Sequence, residues 1–296
     1  MGNNDPYNPS FDRLNVAIRC MTKQEISTQE LAYVQNLVKT HSAIVLEPDK
    51  AYLVESRLGP LAKREGFPTL NAFVAKLRTS SFSALHKEAV EVMTTNETSF
   101  FRDQTPFAVF RDPLLPEIIK RNSQKKRLNI WCGASSSGQE PYSILLTILE
   151  HFPELRTWEI KFFVTDLSQK MIARCREGQY SHLEIQRGLL PTHRTKYFIK
   201  NTMGWQIRDE IRSMLELREM NLAGTWLAFP KMDFVFIRNV LIYFDVQTKK
   251  QILEKVRGIL EPHGYLFLGG TESTINLDEL YERVALGGTF VYQRKK

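Results

Sequence analysis

The chain of 296 residues is long enough to hold two domains and a sizeable hydrophobic core. Its composition, 43% hydrophobic and 25% charged, is ordinary for a soluble globular protein. No apolar run approaches the roughly 18 residues that a membrane span needs. Forty basic and thirty-three acidic side chains leave a net charge of +7, which favours an acidic partner but does not distinguish nucleic acid, anionic lipid and an acidic protein surface.

The N-terminus and the cysteines favour a cytoplasmic protein. Met1–Ser10 is polar and unlike a signal peptide, so residues 1–23 are interpreted as a flexible lead. The three cysteines, Cys20, Cys132 and Cys175, are scattered without C-x-x-C pairing, which argues against a disulfide framework or a zinc site. We expect a reducing compartment, no metal cofactor and no direct membrane insertion.

Residues 24–92 are predicted to form a small all-helical domain. Ser27 and Glu30 have the spacing of a capping box ahead of the first helix. Apolar residues recur at helical spacing in four stretches, around Leu31–Val38, Tyr52–Leu61, Leu70–Leu77 and Leu85–Val92. The second stretch contains Gly59-Pro60, where the proline should kink or restart the helix.

From Phe107 onward, predicted helices alternate with short apolar strands, which favours βαβ units and a doubly wound, mostly parallel sheet. The strands are Leu128–Trp131, Ile160–Val164, Phe234–Ile237 and Tyr265–Leu268. The chain then ends in an antiparallel hairpin around Gly287-Gly288. This α/β layout is typical of class I methyltransferases, so residues 107–296 are predicted to be such a domain. Residues 178–220 interrupt its rhythm, and the alternation at Leu215 and Leu217 suggests a small inserted β-subdomain.

The most informative segment is a turn of glycine and small residues, Cys132–Gly138, between the first strand and its helix. Such a turn lets the backbone approach a ligand at a helix N-terminus. The G-x-G-x-x-G spacing of dinucleotide sites is absent, and Glu140 in the first helical turn would repel a pyrophosphate. A cationic nucleoside such as S-adenosylmethionine (SAM) fits better. The alternative is a plain strand-to-helix turn in which Glu140 complements the helix dipole.

Polar residues after three other elements would face the same cleft, because ligands sit at the carboxyl ends of parallel strands. Asp166 could accept hydrogen bonds from ribose hydroxyls, or could simply cap the next helix with Ser168. Asn239 and Tyr243 follow the third strand, although Tyr243 could equally be a packed aromatic. Asn221-Leu222 would lie beside an adenine, or form only a turn.

Residues 93–106 join the two predicted domains and combine dense polar residues with Phe100 and Phe101. A segment that folds over the cofactor explains both features, and Arg102 would then point into the cleft. The alternative is an ordinary linker with a surface arginine.

Six motifs, taken together, resemble the CheR-type chemotaxis receptor methyltransferases over almost the whole chain from about Gln24. They are E-S-R-L-G-P-L-A-K-R (Glu55–Arg64), N-E-T-S-F-F-R-D (Asn96–Asp103), W-C-G-A-S-S-S-G-Q-E-P-Y-S (Trp131–Ser143), F-V-T-D-L (Phe163–Leu167), F-I-R-N-V-L-I-Y-F-D (Phe236–Asp245) and G-Y-L-F-L-G-G-T-E-S (Gly264–Ser273). The resemblance implies a protein-glutamate O-methyltransferase that uses SAM, releases S-adenosylhomocysteine (SAH) and acts on the cytoplasmic helical domains of chemoreceptors.

By position, the resemblance also implies roles for individual residues. The residues that match the family's cofactor contacts are Asn96, Thr98, Arg102, Glu140, Asp166, Asn221, Leu222, Arg238 and Asn239. Arg102 and Tyr243 match the pair expected near the transferred methyl group, and Arg57, Lys63 and Arg64 match a basic helix that meets the receptor. The loop around Asn201–Gly204 looks shorter than in members that dock a receptor C-terminal pentapeptide, so we expect no such tether.

Two other function classes stay open on the sequence. A nucleic-acid methyltransferase would suit the positive charge, but Arg238-Asn239-Val240-Leu241 is unlike the Asp/Asn-Pro-Pro-Tyr tetrapeptide of amino-directed enzymes. A non-catalytic nucleotide-binding adapter is the second alternative, which the presence of Arg102, Glu140, Asp166 and Tyr243 disfavours.

Overall fold

The computed structural model describes residues 25–295, so the predicted N-terminal lead and Cys20 lie outside the described residues. The described chain divides into two compact units. The first comprises the residues up to Leu37 together with Glu47–Met93, and the second comprises Val38–Leu46 and everything from Thr94 onward. The sequence pattern predicts one helical domain over residues 24–92. Nothing in that pattern indicates that Val38–Leu46 belongs to the second unit.

The first unit is helical, as the apolar spacing predicts. Its helices are α1 (Thr28–Ser42, whose last turn belongs to the second unit), α2 (Ala51–Arg64), α3 (Leu70–Thr79) and α4 (Ala84–Met93). Helix α3 begins where the Thr69 side chain accepts a hydrogen bond from the amide of Ala72, which satisfies one unpaired donor at its N-terminus. Buried Val54, Leu58, Phe73 and Val74 form the apolar faces that hold these helices in the fold.

Two local features of this unit differ in part from the prediction: the capping box is incomplete, and the second helix does not restart at its proline. The capping box at α1 is only half formed: Ser27 Oγ accepts from the Glu30 amide, but the Glu30 side chain pairs with Arg78 and the Ser27 amide donates to Asn71. Helix α2 also runs through Pro60 as one helix. Pro60 is exposed, so water can hydrate the Ser56 carbonyl that loses its amide partner.

The second unit is built on a seven-stranded sheet of order β6-β2-β1-β7-β8-β10-β9. Its strands are β1 (Arg127–Gly133), β2 (Glu159–Asp166), β6 (Leu215–Glu219), β7 (Met232–Ile237), β8 (Leu260–Leu268), β9 (Tyr281–Leu286) and β10 (Thr289–Arg294). The strands from β6 to β8 in this order are parallel, and β10 pairs antiparallel with β8 and β9. The predicted class I methyltransferase topology is therefore confirmed.

Helices cover this sheet, so its central strands are buried on both faces. Every residue of β7 is buried, as are all of β1 except Arg127. Such strands show a continuous apolar run instead of an alternating pattern. The covering helices include α5 (Thr105–Val109), α6 (Leu115–Asn122), α7 (Gln139–His151), α8 (Gln169–Glu177) and α12 (Val246–Ile259). Between α5 and α6 the chain forms a π-helical turn, Phe110–Leu114, which contains Pro113.

The insertion between α8 and β6 contains a separate three-stranded sheet of order β3-β5-β4. Its strands are β3 (Gln179–Tyr180), β4 (Phe198–Asn201) and β5 (Gly204–Ile207), and the helices around it are α9 (His182–Gln186), α10 (Pro191–Tyr197) and α11 (Asp209–Arg212). The prediction that Leu215 and Leu217 belong to this small sheet is wrong, because both residues pair with β2 as the edge of the main sheet. Their alternation reflects an edge strand with one buried face.

Within residues 25–295, no helix is both long enough and apolar enough to cross a bilayer.

Candidate active site

A cavity of about 820 Å³, counting its open mouth, lies at the carboxyl ends of β1, β2 and β7. This is where ligands bind in open parallel sheets. The cavity is lined by every residue predicted to contact the cofactor or the transferred methyl group, namely Asn96, Thr98, Arg102, Glu140, Asp166, Asn221, Leu222, Arg238, Asn239 and Tyr243. The sequence therefore predicts which residues share one site, although it does not predict how they are held.

The turn after β1 places its backbone at the cavity, and every second residue from Ala134 to Gly138 has a left-handed conformation. Ala134 (φ 54°), Ser136 (φ 51°) and Gly138 (φ 96°) all have positive φ, a conformation that is costly for the first two. At Gly138 a Cβ atom would lie 2.5 Å from Cys175 Sγ, so glycine is needed there. The Tyr180 hydroxyl, from the small sheet, donates to the Ser137 carbonyl at 2.8 Å and supports the turn from behind.

Asp166 links the turn to the second strand. Its Oδ2 accepts a hydrogen bond from the Ser136 amide at 2.8 Å and its Oδ1 accepts from the Ser168 amide at 2.8 Å. The alternative role of organising the start of α8 is thus real, although Ser168 itself caps that helix through Met171. A carboxylate oxygen can accept more than one hydrogen bond, so both roles are compatible.

Glu140 and Arg238 form a buried ion pair at the base of the cavity. Arg238 Nη1 donates to Glu140 Oε1 at 2.9 Å, and its Nη2 donates to Asp103 Oδ2 at 2.7 Å and to the Arg102 carbonyl at 3.2 Å. Burial lowers the pKa of Arg238, but the charge and hydrogen bond of Glu140 together with the charge of Asp103 outweigh it, and the pKa is raised overall. Arg238 thus remains charged and ties Glu140 to the turn that carries Arg102.

Glu140 Oε2, the other oxygen of this carboxylate, makes no hydrogen bond with any of residues 25–295. The Glu140 side chain is 12% exposed, and the exposed part faces the cavity. Such an oxygen is suited to accept a hydrogen bond from a cationic ligand group.

The segment Asn96–Gln104 forms one wall. Ser136 Oγ donates to the Asn96 carbonyl at 2.8 Å, and the Phe101 amide donates to Ser143 Oγ at 2.9 Å. Phe101, Asp103 and Gln104 all have positive φ, and such clusters of strained residues are common at functional sites. Half-buried Arg102 donates from Nη1 to the Glu97 carbonyl at 3.0 Å. The wall therefore fixes the Arg102 side chain at the cavity.

The loop after β7 forms the facing wall. Asn239 adopts a left-handed conformation (φ 58°) and is followed by a 3₁₀ turn, Leu241–Tyr243. The Tyr243 hydroxyl makes no hydrogen bond with any residue of the described chain, so it is available to a substrate. The Asn221 side chain is held in place at the cavity, since Nδ2 donates to the His41 carbonyl and Oδ1 accepts from the Ala223 amide.

Sequence reasoning missed the contribution of Val38–Leu46. Ser42 and Ile44 line the cavity, Ile44 pairs with Phe244, and the Val45 amide donates to the Tyr243 carbonyl at 2.9 Å. The positive φ of Ala43 (61°) turns the chain out of α1, but alanine carries no sequence signal for this conformation. The cavity is also lined by residues for which the sequence predicts no contact: Glu97, Ser136, Met220 and Val240.

Arg57, Lys63 and Arg64 lie on α2 in the first unit and are not among the residues that line the cavity. Arg57 donates to the Met93 carbonyl at 2.6 Å, and Arg64 forms a paired contact with Glu88 at 2.6 and 2.7 Å. Lys63 is exposed and forms no ion pair with any of residues 25–295.

Comparison with known families identifies the two parts of the chain. Residues 96–287 match the family model described as "CheR methyltransferase, SAM binding domain", and residues 29–94 match "CheR methyltransferase, all-alpha domain". The chain belongs to the CheR methyltransferase family. It is therefore a SAM-dependent methyltransferase, and the cavity lies in the part that matches the SAM-binding domain of the CheR family.

Curated relatives of this CheR family member agree along nearly their full length. "Chemotaxis protein methyltransferase Cher2" of Pseudomonas putida is 39% identical over 277 residues, covering 91% of this chain and 100% of the relative. "Chemotaxis protein methyltransferase 1" of Pseudomonas aeruginosa is 41% identical over 257 residues, covering 85% and 93%. "Chemotaxis protein methyltransferase" of Vibrio parahaemolyticus is 38% identical over 279 residues, covering 93% and 100%.

The residues in the cavity fit SAM chemically. The unpaired oxygen of Glu140 suits the ammonium group, and Asp166 suits the ribose hydroxyls. Leu222, Met220 and Val240 provide apolar surface for the nucleoside base. Within residues 25–295 no group of three or more His, Cys, Asp or Glu side chains is arranged to hold a metal ion.

Proposed function

We propose that this protein transfers the methyl group of SAM to glutamate side chains of chemoreceptor cytoplasmic domains. The products would be a glutamate methyl ester and SAH. The observation that supports this most is the convergence of Glu140, Asp166, Arg102 and Tyr243 on one cavity of a CheR family member. The curated relatives carry the name chemotaxis protein methyltransferase.

The proposed chemistry needs alignment more than acid–base catalysis. Bound SAM supplies an electrophilic methyl group on a sulfonium centre. A glutamate with an ordinary pKa of about 4.3 is already ionised at neutral pH, so no general base is required. Holding two reacting atoms about 3–3.5 Å apart and in line can contribute roughly 7–11 kcal/mol in favourable cases. The task of the chain is therefore to hold the cofactor and present the carboxylate.

Each wall of the cavity has a proposed role in this alignment. Glu140, held by Arg238, would bind the ammonium end of the cofactor, and Asp166 would bind its ribose. Arg102 would orient the incoming carboxylate through its planar guanidinium, and Tyr243 would guide it with its free hydroxyl. Too strong a grip by Arg102 would stabilise the ground state, because charge disperses in the transition state.

Helix α2 is proposed to contact the receptor through three basic residues, Arg57, Lys63 and Arg64. Lys63 is the best placed of the three, since the Arg57 and Arg64 guanidinium groups already have internal partners. The reaction would take place in the cytoplasm, where the receptor domains lie. Strands β4 and β5 are joined by only Thr202 and Met203, and this short hairpin supports the proposal that no receptor pentapeptide is docked there.

A methyl-transfer assay tests this function. Purified protein, SAM labelled in the methyl group and a panel of chemoreceptor cytoplasmic fragments should give label that is released as methanol in alkali, which is diagnostic of a carboxyl ester. Alkali-stable label on added RNA or DNA would indicate the nucleic-acid methyltransferase instead. SAH binding by calorimetry without turnover on any substrate would indicate the non-catalytic adapter.

A further inference from the structure

Glu272 makes an unusual set of contacts beside the cavity. It lies in the segment after β8, is only 8% exposed, and is not among the residues that line the cavity. Its carboxylate accepts hydrogen bonds from the four backbone amides of Gly269 (2.6 Å), Asn239 (2.8 Å), Val240 (2.9 Å) and Ile242 (3.3 Å). Three of these donors belong to the loop that follows β7.

That loop carries the side chains proposed to work in the site. Asn239, Val240 and Tyr243 line the cavity, whereas the backbone amides of Asn239, Val240 and Ile242 donate to Glu272. Asn239 holds a left-handed φ of 58°, and Val240 precedes the 3₁₀ turn that ends at Tyr243. A left-handed conformation has an energetic cost for residues other than glycine, although the cost is small for asparagine, so contacts that hold it stabilise the loop. The Glu272 carboxylate supplies such contacts through charge-assisted hydrogen bonds.

The close approach is built into the backbone on the Glu272 side. A Cβ atom at Gly269 would lie 2.6 Å from Asn239 Nδ2 and 2.7 Å from Glu272 Oε2, so only glycine lets the two loops meet. The Glu272 amide also donates to the Gly269 carbonyl at 2.9 Å, which closes a tight turn around the carboxylate. Gly269 and Glu272 therefore work together: the glycine allows the close approach, and the carboxylate binds the amides of the facing loop.

We infer that Glu272 is a positioning residue for methyl transfer: its carboxylate holds the Asn239–Tyr243 loop in the conformation that presents Asn239 to the cofactor and Tyr243 to the substrate. This inference rests on the proposed function of the cavity. Glu272 itself does not line the cavity, so it would act through the loop. Its charge is needed because a carboxylate offers two acceptor oxygens to the surrounding donors, whereas a glutamine offers one oxygen and turns an N–H₂ group towards the others.

Asp233 provides a matched control at the opposite end of β7. It is also a buried carboxylate, 4% exposed, and accepts from the Asn129 amide at 2.8 Å and from Asn122 Nδ2 at 3.0 Å. It does not line the cavity. Replacing either acid by its amide changes a buried carboxylate that accepts hydrogen bonds, which come from four backbone amides at Glu272 and from one backbone amide and one side chain at Asp233. Only Glu272 binds the loop that follows β7.

The experiment compares Glu272→Gln, Glu272→Asp and Asp233→Asn in the full chain, at a temperature where thermal melts show each to be folded. With SAM saturating and a receptor fragment that the wild type methylates, we expect Glu272→Gln to lower kcat at least tenfold. Glu272→Asp, which keeps the charge on a shorter arm, should recover part of the loss. Asp233→Asn should lower the melting temperature but keep kcat within twofold of wild type.

Calorimetric titration with SAH gives a second measurement that needs no receptor. The dissociation constant should rise at least fivefold in Glu272→Gln and less than twofold in Asp233→Asn, because Asn239 and Val240 face the cofactor. Equal kcat values and equal SAH affinities in these two variants would overturn the positioning role. Failure of the wild type to form an alkali-labile ester would instead refute the proposed function. The SAH titration would still test whether Glu272 holds the loop at the cofactor site.

Discussion

Arg102 is the residue on which the proposed alignment of the substrate depends most. It is half-buried at the cavity, and its one side-chain hydrogen bond within residues 25–295, to the Glu97 carbonyl, leaves other donors of the guanidinium available to a ligand in the cavity. We expect Arg102→Ala to lower kcat at least tenfold, a loss of about 1.4 kcal/mol of transition-state stabilisation. The measurement is steady-state turnover with SAM labelled in the methyl group and a receptor fragment that the wild type methylates. A kcat within about threefold of wild type would rule out the alignment role.

Arg187→Ala is the control for this variant. Arg187 binds the same segment, pairing with the Glu97 carboxylate at 2.9 Å, but it is exposed and does not line the cavity. Removing it deletes an arginine–Glu97 contact without removing a guanidinium from the site. Its kcat should stay within twofold of wild type, which separates substrate alignment from a general loosening of the wall.

At this scale the sequence predicts membership of the site better than it predicts contacts. Arg238 lines the cavity as predicted, and the pattern does not predict that its guanidinium pairs with Glu140 and Asp103. The side-chain amide of Asn221 likewise forms hydrogen bonds with the backbone of His41 and Ala223, which the pattern does not predict. The order of strands in a parallel sheet determines which residues reach the cleft, but the pairing of side chains depends on loop geometry that no local pattern encodes.

At the scale of elements, strong periodicity is what made prediction possible. The strands of the main sheet and the helices of the first unit follow from apolar runs and from 3.6-residue spacing. The predictions are wrong where a short element is determined by contacts with distant parts of the chain. Strand β6 was assigned to the wrong sheet because alternation shows one buried face but not the partner strand. The contribution of Ser42 and Ile44 depends on a left-handed alanine, which propensity does not predict.

Helices α7 and α10 are joined by a polar cluster that gives a testable pH dependence. Glu150, near the end of α7, accepts from Lys196 Nζ at 2.6 Å and from the Tyr197 hydroxyl. The Lys196 hydrogen bond, followed by that of Tyr197, lowers the pKa of Glu150. A carboxyl whose pKa is lower in the folded state stabilises the fold above its unfolded pKa of about 4.3, and this stabilisation is lost as the pH falls through the folded value.

We therefore expect Glu150→Gln to lower the melting temperature by about 2 °C at pH 7, since partly exposed pairs contribute up to about 1 kcal/mol. The difference from wild type should shrink towards zero as the pH falls below about 4. Glu159→Gln is the control, because Glu159 and Lys161 form a more exposed pair. Thermal melts between pH 3 and 8 make the measurement, and a difference that does not depend on pH would contradict the assignment.

The net charge of +7 on the protein does not by itself identify the binding partner. Opposite charges attract over only about 8 Å at physiological salt, so a receptor would respond to local groups and not to the total. Internal pairing reduces the number of candidates on α2, because Arg64 is held by Glu65 and Glu88, which also raise its pKa. Lys63 is exposed and, within residues 25–295, without an ion-pair partner, so its charge is available to an acidic surface.

Charge reversal at Lys63 tests whether α2 meets the receptor. Lys63→Glu should raise the KM for the receptor fragment three- to tenfold at low salt, and the effect should fade at 0.5 M salt because exposed charges are screened. The kcat and the SAH affinity should not change, since Lys63 does not line the cavity. Lys125→Glu, at an exposed lysine of the second unit, makes the same change in net charge. If both variants raise KM equally, the attraction belongs to the total charge and α2 has no special role; a rise confined to Lys63→Glu locates the contact on that helix.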